Sequence, residues 1–371
     1  MIVPMADLQA QHRALKDELT GAFEQVMAAC DFGGLGENTS GLEREIAAIC
    51  GAKHGLGVNS GTDALLLSLL AMGVGPGDEV ITSPFTFIAT GETICLAGAT
   101  PVFADIDPHT FNLDPEAAQA KITDRTKVIL PVHLFGQIAD MTRLAQIARP
   151  RQIALLGDAA QAIGATHQGK PLGAWADANT LSFYPTKNLG ACGDGGMVLT
   201  DSEELADQIK LLRFHGSGGG YFHKRVGYCS RLDGMQAALL RVKARRLQEW
   251  NEARRGNAAL YDAALCGLEG RIVLPCAERG NYHIYHQYTM RVPDSRRDAL
   301  QKHLAARNVQ SAIYYPLPIH LQEAYAFLGY KAGDLPECER ASREVLSLPV
   351  HPDLSPEQVE YAADTVRAFF G

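Results

Sequence analysis

DEVITSPFTFIATGETICLAGATPVFAD, residues 78–105, reads as an apolar strand, a helix and a second apolar strand. DEVITS and TPVFAD are short runs carrying β-branched residues, and 87–97 between them has the length of a helix. The same alternation continues in both directions. From about 54 to 200 the further strand candidates are GLGVN, KVILPV, IALLGD, NTLSFY and GMVLT, with helical stretches at 62–72, 114–121 and 140–148. Strands this apolar, with helices between them, predict an α/β fold: a parallel sheet covered on both faces. Ligands on such sheets gather at the carboxyl ends of the strands.

Outside this block, residues 7–29 read as one amphipathic helix, with Leu8, Leu15, Leu19, Phe23 and Val26 at helical spacing. Residues 41–50, 203–213 and 233–265 are also helical, the last long and charged, bridging two domains. After about 270 the texture changes. YTMRV alternates like a strand, RRDALQKHLAARN is a helix stopped by Asn308, SAIYYPLPIH is a proline-rich turn, and 355–370 is a closing helix. The reading is a large domain over 1–245, with an N-terminal helical arm, and a smaller C-terminal α+β domain over 246–371. HGSGGGYFHKR, 215–225, is the one flexible-looking segment.

With 371 residues and 46% hydrophobic content the chain can bury a large core. A net charge of -8 and no basic stripe argue against nucleic acid as a partner. No apolar run approaches the roughly 20 residues that span a bilayer, and no signal peptide is read at the start. Eight scattered cysteines without a CxxC pair read as reduced thiols of a cytoplasmic protein. HIYH at 283–286 is one possible ligand pair for zinc, but lone histidines are more often packing residues, so no metal centre is predicted.

Four features carry chemistry. Lys187, in SFYPTKNLGACGDGG, follows an apolar strand and precedes a glycine-rich bend. A desolvated lysine there can form a Schiff base, while the bland reading is a lysine snorkelling at a strand end. In GVNSGTDALLLSLL a strand ends at Asn59 and a helix starts near Thr62. Free amides at that helix start make an anion nest, and Gly61 allows close approach, although Ser and Thr also cap helices for purely structural reasons. Asp158 directly follows the strand IALL. It can cap a following helix or hold a protonated ring nitrogen, with Gln161 on the same helical face. Phe85 and Phe87 in SPFTFIATG can be core or can stack on a flat heterocycle. Phosphate grip, ring stacking, nitrogen partner and imine lysine are together the parts that pyridoxal 5'-phosphate requires.

At this point the chain resembles the DegT/DnrJ/EryC1/StrS family of sugar aminotransferases, of the aspartate-aminotransferase fold type (pyridoxal-phosphate fold type I). The carriers are PMADLQAQH, NSGTDALLLSLLAMGVGPGDEVITSPFTFIAT, PVFADIDPHTFNLDP, VHLFGQIADM, GDAAQAIGA, SFYPTKNLGACGDGGMV, GYCSRLDGMQAALL and YYPLPIHLQ, nearly the whole chain. The resemblance implies that Lys187 holds the cofactor aldehyde and later carries the proton. It implies that Asp158 pairs with the pyridine nitrogen, that Gln161 lies near the ring and that Phe87 stacks on it. Gly61, Thr62 and Ser182 then hold the phosphate. It further implies a homodimer whose sites are completed by the neighbour's GYNxR-type loop, here GYCSR at 227–231. The family's usual Asn aligns with Cys229, a poor donor. That puts the contact in doubt and leaves Ser230 or Arg231 to replace it.

Dehydratase relatives replace the lysine with histidine, so Lys187 favours transamination. The implied reaction moves an amino group from glutamate or glutamine to a keto-sugar on a nucleotide diphosphate. ADLQAQH and SRLDGMQAA lean toward the 3-keto branch (a 3-keto-6-deoxyhexose or another 3-keto sugar). Lys224, Arg225 and Arg231 are candidates for the diphosphate or the dimer partner, and Tyr315 and His320 for the sugar pocket. The alternatives are a 4-keto-sugar aminotransferase, a dehydratase or lyase on the same cofactor, and a non-catalytic regulatory or scaffold protein.

Overall fold

A computed structural model describes residues 1–371. Seven strands form the central sheet: β1 His54–Val58, β2 Glu79–Thr82, β3 Thr100–Phe103, β4 Thr126–Leu130, β5 Ala154–Asp158, β6 Ala178–Ser182 and β7 Gly196–Thr200. Their order across the sheet is β1-β7-β6-β5-β4-β2-β3. Consecutive residues of these strands enter different cores. Ile81, Ile129, Leu155 and Leu199 pack on one face, and Val80, Val128, Leu156 and Val198 on the other. A sheet buried on both sides favours apolar residues at consecutive positions, which is why most of the strands read as apolar runs, with Asn179 and Thr180 of β6 as buried polar exceptions.

Neighbours from β6 through β3 pair in parallel. β7 does not: it runs antiparallel to both β1 and β6. A parallel return needs a long crossover, usually a helix, and no helix lies between Ser182 and Gly196. The sheet is therefore mostly parallel rather than wholly so.

Helices α1 Leu8–Ala14, α2 Lys16–Ala29, α3 Glu37–Cys50, α4 Gly61–Ala71, α5 Ile88–Leu96, α6 Pro115–Ala120, α7 Met141–Ala148, α8 Glu203–Arg213 and α9 Gly234–Ala244 surround the sheet. The single helix expected over 7–29 is two, broken at Leu15, which is buried. The long helix expected over 233–265 is also two. α9 packs on α2 and α3, while α10, Leu247–Leu265, packs on α13, Pro356–Phe370.

The C-terminal part holds α11 Arg297–Ala305, α12 Pro336–Glu344 and two antiparallel strands, β8 Tyr288–Arg291 and β9 Val345–Leu348. Asn308 adopts a left-handed φ of 59° just after α11. A separate core of Tyr261, Tyr288, Leu300, Leu346 and Val366 lies here. Val3 belongs to this core, because its N–H donates to Asn308 O and its carbonyl accepts from Gln310 N–H, both at 2.9 Å. Val3 thus packs with the C-terminal core. No helix is long and apolar enough to cross a membrane.

Candidate functional site

The carboxyl ends of β5 and β6 and the start of α4 border a cavity of about 610 Å³, within the range of small-molecule sites. Seven of the sequence candidates line it: Gly61, Thr62, Phe87, Asp158, Gln161, Ser182 and Lys187. Tyr315 lines it too, from the C-terminal part.

Ser60 is the N-cap of α4, and its hydroxyl accepts from Asp63 N–H at 3.0 Å. The first amides of the helix have no acceptor one turn back, so they face outward with the positive end of the helix. Ser182, at the end of β6, presses against this turn. A Cβ added at Gly61 would sit 2.7 Å from Ser182 Cβ, so only glycine lets strand and helix meet so closely. The result is a small cradle of amides and hydroxyls suited to a compact anion.

Asp158 is buried at the carboxyl end of β5. No helix follows it. Residues 160–161 form a turn, so the expected helical face for Gln161 does not exist. The carboxylate accepts from Thr90 Oγ1 at 2.8 Å and from Ala160 N–H at 3.2 Å, and Thr90 Oγ1 is 3.0 Å from Thr86 Oγ1. Burial raises its pKa, opposed by these hydrogen bonds and by Lys187. A carboxylate in this position gains from a facing cation. Gln161 instead bridges elements: its Oε1 accepts from Phe135 N–H at 2.7 Å, and its Nε2 donates to Tyr315 Oη at 3.2 Å. Phe87 is exposed at the cavity edge as the residue before α5, whereas Phe85 is core, edge-on to Phe135 and Tyr315.

Lys187 is half-buried, and desolvation pushes its pKa down to about 8, with Asp158 pulling the other way. An amine that loses its proton near neutral pH is a usable nucleophile. Asp158 and Lys187 therefore face each other across the cavity with opposed perturbations, a pattern typical of functional sites.

The remaining candidates lie elsewhere. Ser230 is buried beneath α4, donating to Asp63 Oδ2 at 2.7 Å and accepting from Asn59 N–H at 3.4 Å. Cys229 is exposed and accepts from Arg231 Nη2 at 3.4 Å, and the Arg231 guanidinium lies 5.0 Å from the Phe214 ring centre. Lys224 and Arg225 sit on an exposed loop, with Arg225 Nη1 donating to Gln208 Oε1 at 3.0 Å. None of these lines the cavity of its own chain. His320, the other residue expected at the sugar pocket, is buried with Nε2 3.3 Å from Glu339 Oε1 of α12 and does not line this cavity.

His283 and His286 do not form a ligand pair. His283 stacks on Tyr285 with ring centres 4.0 Å apart, while His286 lines the cavity. His286, Tyr314, Tyr184 and Asp194 are cavity residues that sequence reasoning did not single out. His286 lies within HIYH, where the sequence offers only a zinc ligand pair or packing residues.

The family model described as "DegT/DnrJ/EryC1/StrS aminotransferase family" matches residues 13–367. The chain is 50% identical to a "Pleiotropic regulatory protein" of Geobacillus stearothermophilus, over 100% of this chain and 99% of that one. It is 43% identical to a UDP-N-acetyl-3-dehydro-alpha-D-glucosamine 3-aminotransferase of Acidithiobacillus ferrooxidans, over 98% and 97%. Among solved structures it is similar to S. venezuelae DesV in complex with a ketimine intermediate. The TM-score is 0.96 and the identity 42%, over 99% of this chain and 98% of that one.

Proposed function

Since this chain belongs to the DegT/DnrJ/EryC1/StrS aminotransferase family, we propose that it is a pyridoxal 5'-phosphate-dependent transaminase. It moves an amino group from glutamate or glutamine to a nucleotide-linked 3-keto sugar. The observation that carries the reading is the opposition of Lys187 and Asp158 across one cavity, beside an amide cradle. The 3-keto assignment rests on the two sequence motifs and on the relative named as a 3-aminotransferase of a 3-dehydro sugar.

The residues present fit that cofactor: a tight amide cradle, a buried carboxylate and an amine border one cavity. The cradle at Gly61, with Thr62 and Ser182, would hold the phosphate. Asp158, disfavoured as an anion by burial, would be relieved by a protonated ring nitrogen. Phe87 would cover a ring face. When bound, the group supplies an electron sink for proton removal and return at the amino-bearing carbon. The chain supplies the rest. Lys187 provides the amine that tethers the aldehyde, then carries a proton as base and acid. Gln161 and Tyr315, joined by a hydrogen bond, fix one wall of the cavity.

The chain works as a homodimer in this reading. Phe23, Met27, Phe32 and Leu35 in or near the helical arm, with Phe222 and Tyr228 in or near the Gly-rich loop, are large apolar residues left exposed. Clusters of this kind mark association surfaces. Cys229, Arg231, Lys224 and Arg225 lie outside the cavity of their own chain, the placement a segment directed at a neighbour's site requires, whereas Ser230 is buried against Asp63 of its own chain and does not replace the Cys229 contact. All eight cysteines are free, which supports a reducing, cytoplasmic compartment.

The test offers a panel of keto-sugar nucleotides to protein already converted by glutamate and follows the return of the yellow absorbance. A 3-keto substrate restores it, and return with 4-keto sugars alone rejects the regiochemistry. Protein that stays colourless with added aldehyde rejects the enzyme reading. It leaves the regulatory role raised by the name of the Geobacillus relative. In the same assay the double variant Lys224→Ala, Arg225→Ala raises KM for the sugar nucleotide by about tenfold, the loss of one or two partly exposed charge contacts. An unchanged KM removes these residues from the diphosphate.

A further inference from the structure

Two threonines at the start of α5 form a directed chain onto Asp158. Thr86 and Thr90 are both buried, and both line the cavity with Asp158. Thr90 Oγ1 donates to Asp158 Oδ2 at 2.8 Å, across 68 positions of sequence. A charged carboxylate only accepts, so this bond takes the single hydroxyl hydrogen of Thr90. At the 3.0 Å contact between Thr86 Oγ1 and Thr90 Oγ1, Thr86 is then the donor. Thr93, one turn on, uses its hydroxyl on Ala89 O at 2.9 Å, the ordinary partner of a helical threonine. Thr90 departs from that use and aims at the carboxylate.

The chain suits a carboxylate and not its acid. Asp158 Oδ1 faces Ala160 N–H at 3.2 Å, a group that cannot accept a hydrogen bond. A hydrogen on Oδ2 aimed at Thr90 would reverse both hydroxyls, and Thr86 would then turn its hydrogen away from Thr90, its one protein partner. Burial pushes the Asp158 pKa up, and the Thr90 hydroxyl is the strongest influence opposing it, ahead of Ala160 N–H and Lys187. Hydrogen bonds in line polarise one another, so the Thr86 hydroxyl strengthens the bond from Thr90.

We propose that Thr90, oriented by Thr86, is a positioning residue for the transamination proposed above, on which this inference rests. Its hydroxyl holds Asp158 in the charged form, so that the proton between this carboxylate and the cofactor's ring nitrogen stays on the nitrogen. Thr90 acts through Asp158 alone and transfers no proton itself.

The experiment compares wild type with Thr90→Val, which keeps the shape but has no hydroxyl, Thr90→Ser, which keeps the hydroxyl, and Thr86→Val, which removes only the first donor. The first readout is the pH midpoint of Asp158 in apoprotein. It is followed by the infrared carbonyl band of the protonated acid, assigned by the loss of that band in Asp158→Asn, and it needs neither cofactor nor turnover. Lys187, His286, Tyr184, Asp194, Tyr314 and Tyr315 are the other titratable groups lining the cavity, and His133 packs against Gly157 next to Asp158. None of them changes in the series. A hydrogen bond to the charged form favours that form, so losing one raises the midpoint. The midpoint rises by about one pH unit in T90V, the scale of one hydrogen bond to a charged group. It rises less in T86V and stays near wild type in T90S.

The second readout is the split between kcat and KM. In T90V kcat falls by about tenfold, a smaller loss than removing the charged contact itself, while KM for both substrates changes less than about threefold. T90S recovers most of kcat. An unchanged midpoint in folded T90V overturns the proposal, as does T90S behaving like T90V. A raised midpoint with unchanged kcat overturns it too, because Thr90 then has no part in the transamination. If T90V does not fold, Thr90→Ala takes its place. Wild-type apoprotein that never takes up pyridoxal 5'-phosphate instead sinks the transaminase reading, whatever the apoprotein midpoints show.

Discussion

Lys187→Met gives a folded protein that forms no covalent link to pyridoxal 5'-phosphate and whose transamination falls by about ten-thousand-fold or more. Two separate functions disappear with one amine: the tether and the proton carrier. General acid–base assistance alone is worth about 10²–10⁴ in rate, and loss of the covalent step adds to it. Methionine matches the length and flexibility of the lysine stem, so packing is kept. The stability of the apoprotein moves the other way from activity. Burial lowers the folded pKa of Lys187 to about 8, against 10.5 for a solvated lysine. Between these values the unfolded chain binds more protons, so wild-type stability rises with pH across that window. Below about 8 the full cost of desolvating the ammonium is present. At pH 7 the Met variant is freed of that cost, and its apoprotein melts no lower than wild type. Absorbance after borohydride treatment, a coupled glutamate assay and apoprotein melting measure the three effects. A variant that keeps more than about one hundredth of wild-type kcat shows that another group supplies the proton, and Lys187 then loses its assigned role.

The placement of Lys187 on the cavity is legible in the sequence because the sheet is legible. The central strands stand out as largely apolar runs, since Val80 and Ile81, or Leu155 and Leu156, face opposite cores and both positions of each pair are apolar. Groups just beyond such strands fall at one edge, which brought Asp158, Ser182 and Lys187 together before any coordinates. The direction of β7 was written in the absence of a helix between Ser182 and Gly196, a signal that apolar content alone does not carry. Gln161 reached the cavity by a turn rather than by the helical face expected for it, because Ala160 N–H bonds back to the Asp158 carboxylate.

Two residues mark where local reading stops. Tyr315 and His320 are close in sequence and were grouped as one pocket edge. The segment Pro316–Pro318 redirects the chain, so Tyr315 meets Gln161 while His320 meets Glu339. His286 was visible only as half of a histidine pair. Its Nδ1 lies 3.0 Å from Asn188 Oδ1, and Asn188 Nδ2 donates to Asn251 Oδ1 at 2.8 Å, positions far apart in the chain that no spacing rule connects.

Asp158→Asn lowers kcat by about 10²–10³, with the cofactor still tethered through Lys187. An amide cannot keep a ring nitrogen cationic, so the preorganised charge that makes proton removal easy is gone, and losing one such electrostatic contact costs about this much. The fold tolerates the change. Asn Oδ1 can accept from Ala160 N–H as the carboxylate does, and Asn Nδ2 can donate to Thr90 Oγ1, whose hydroxyl turns toward Thr86 Oγ1, 3.0 Å away. Stability again separates from activity. Burial raises the folded pKa of Asp158, so between the unfolded and folded values the native chain binds more protons and wild-type apoprotein loses stability as pH rises through that window. Asn carries no such cost, and the apo variant at pH 7 melts at or above the wild-type temperature. The cofactor absorbance adds a readout that a packing defect would not move. The variant's tethered chromophore titrates at lower pH than the wild type's, because the facing negative charge that favours protonation has been removed. A variant with wild-type kcat and an unshifted titration sinks the pairing of Asp158 with the ring. A variant that is inactive and also unfolded assigns the residue to the sheet edge rather than to the chemistry.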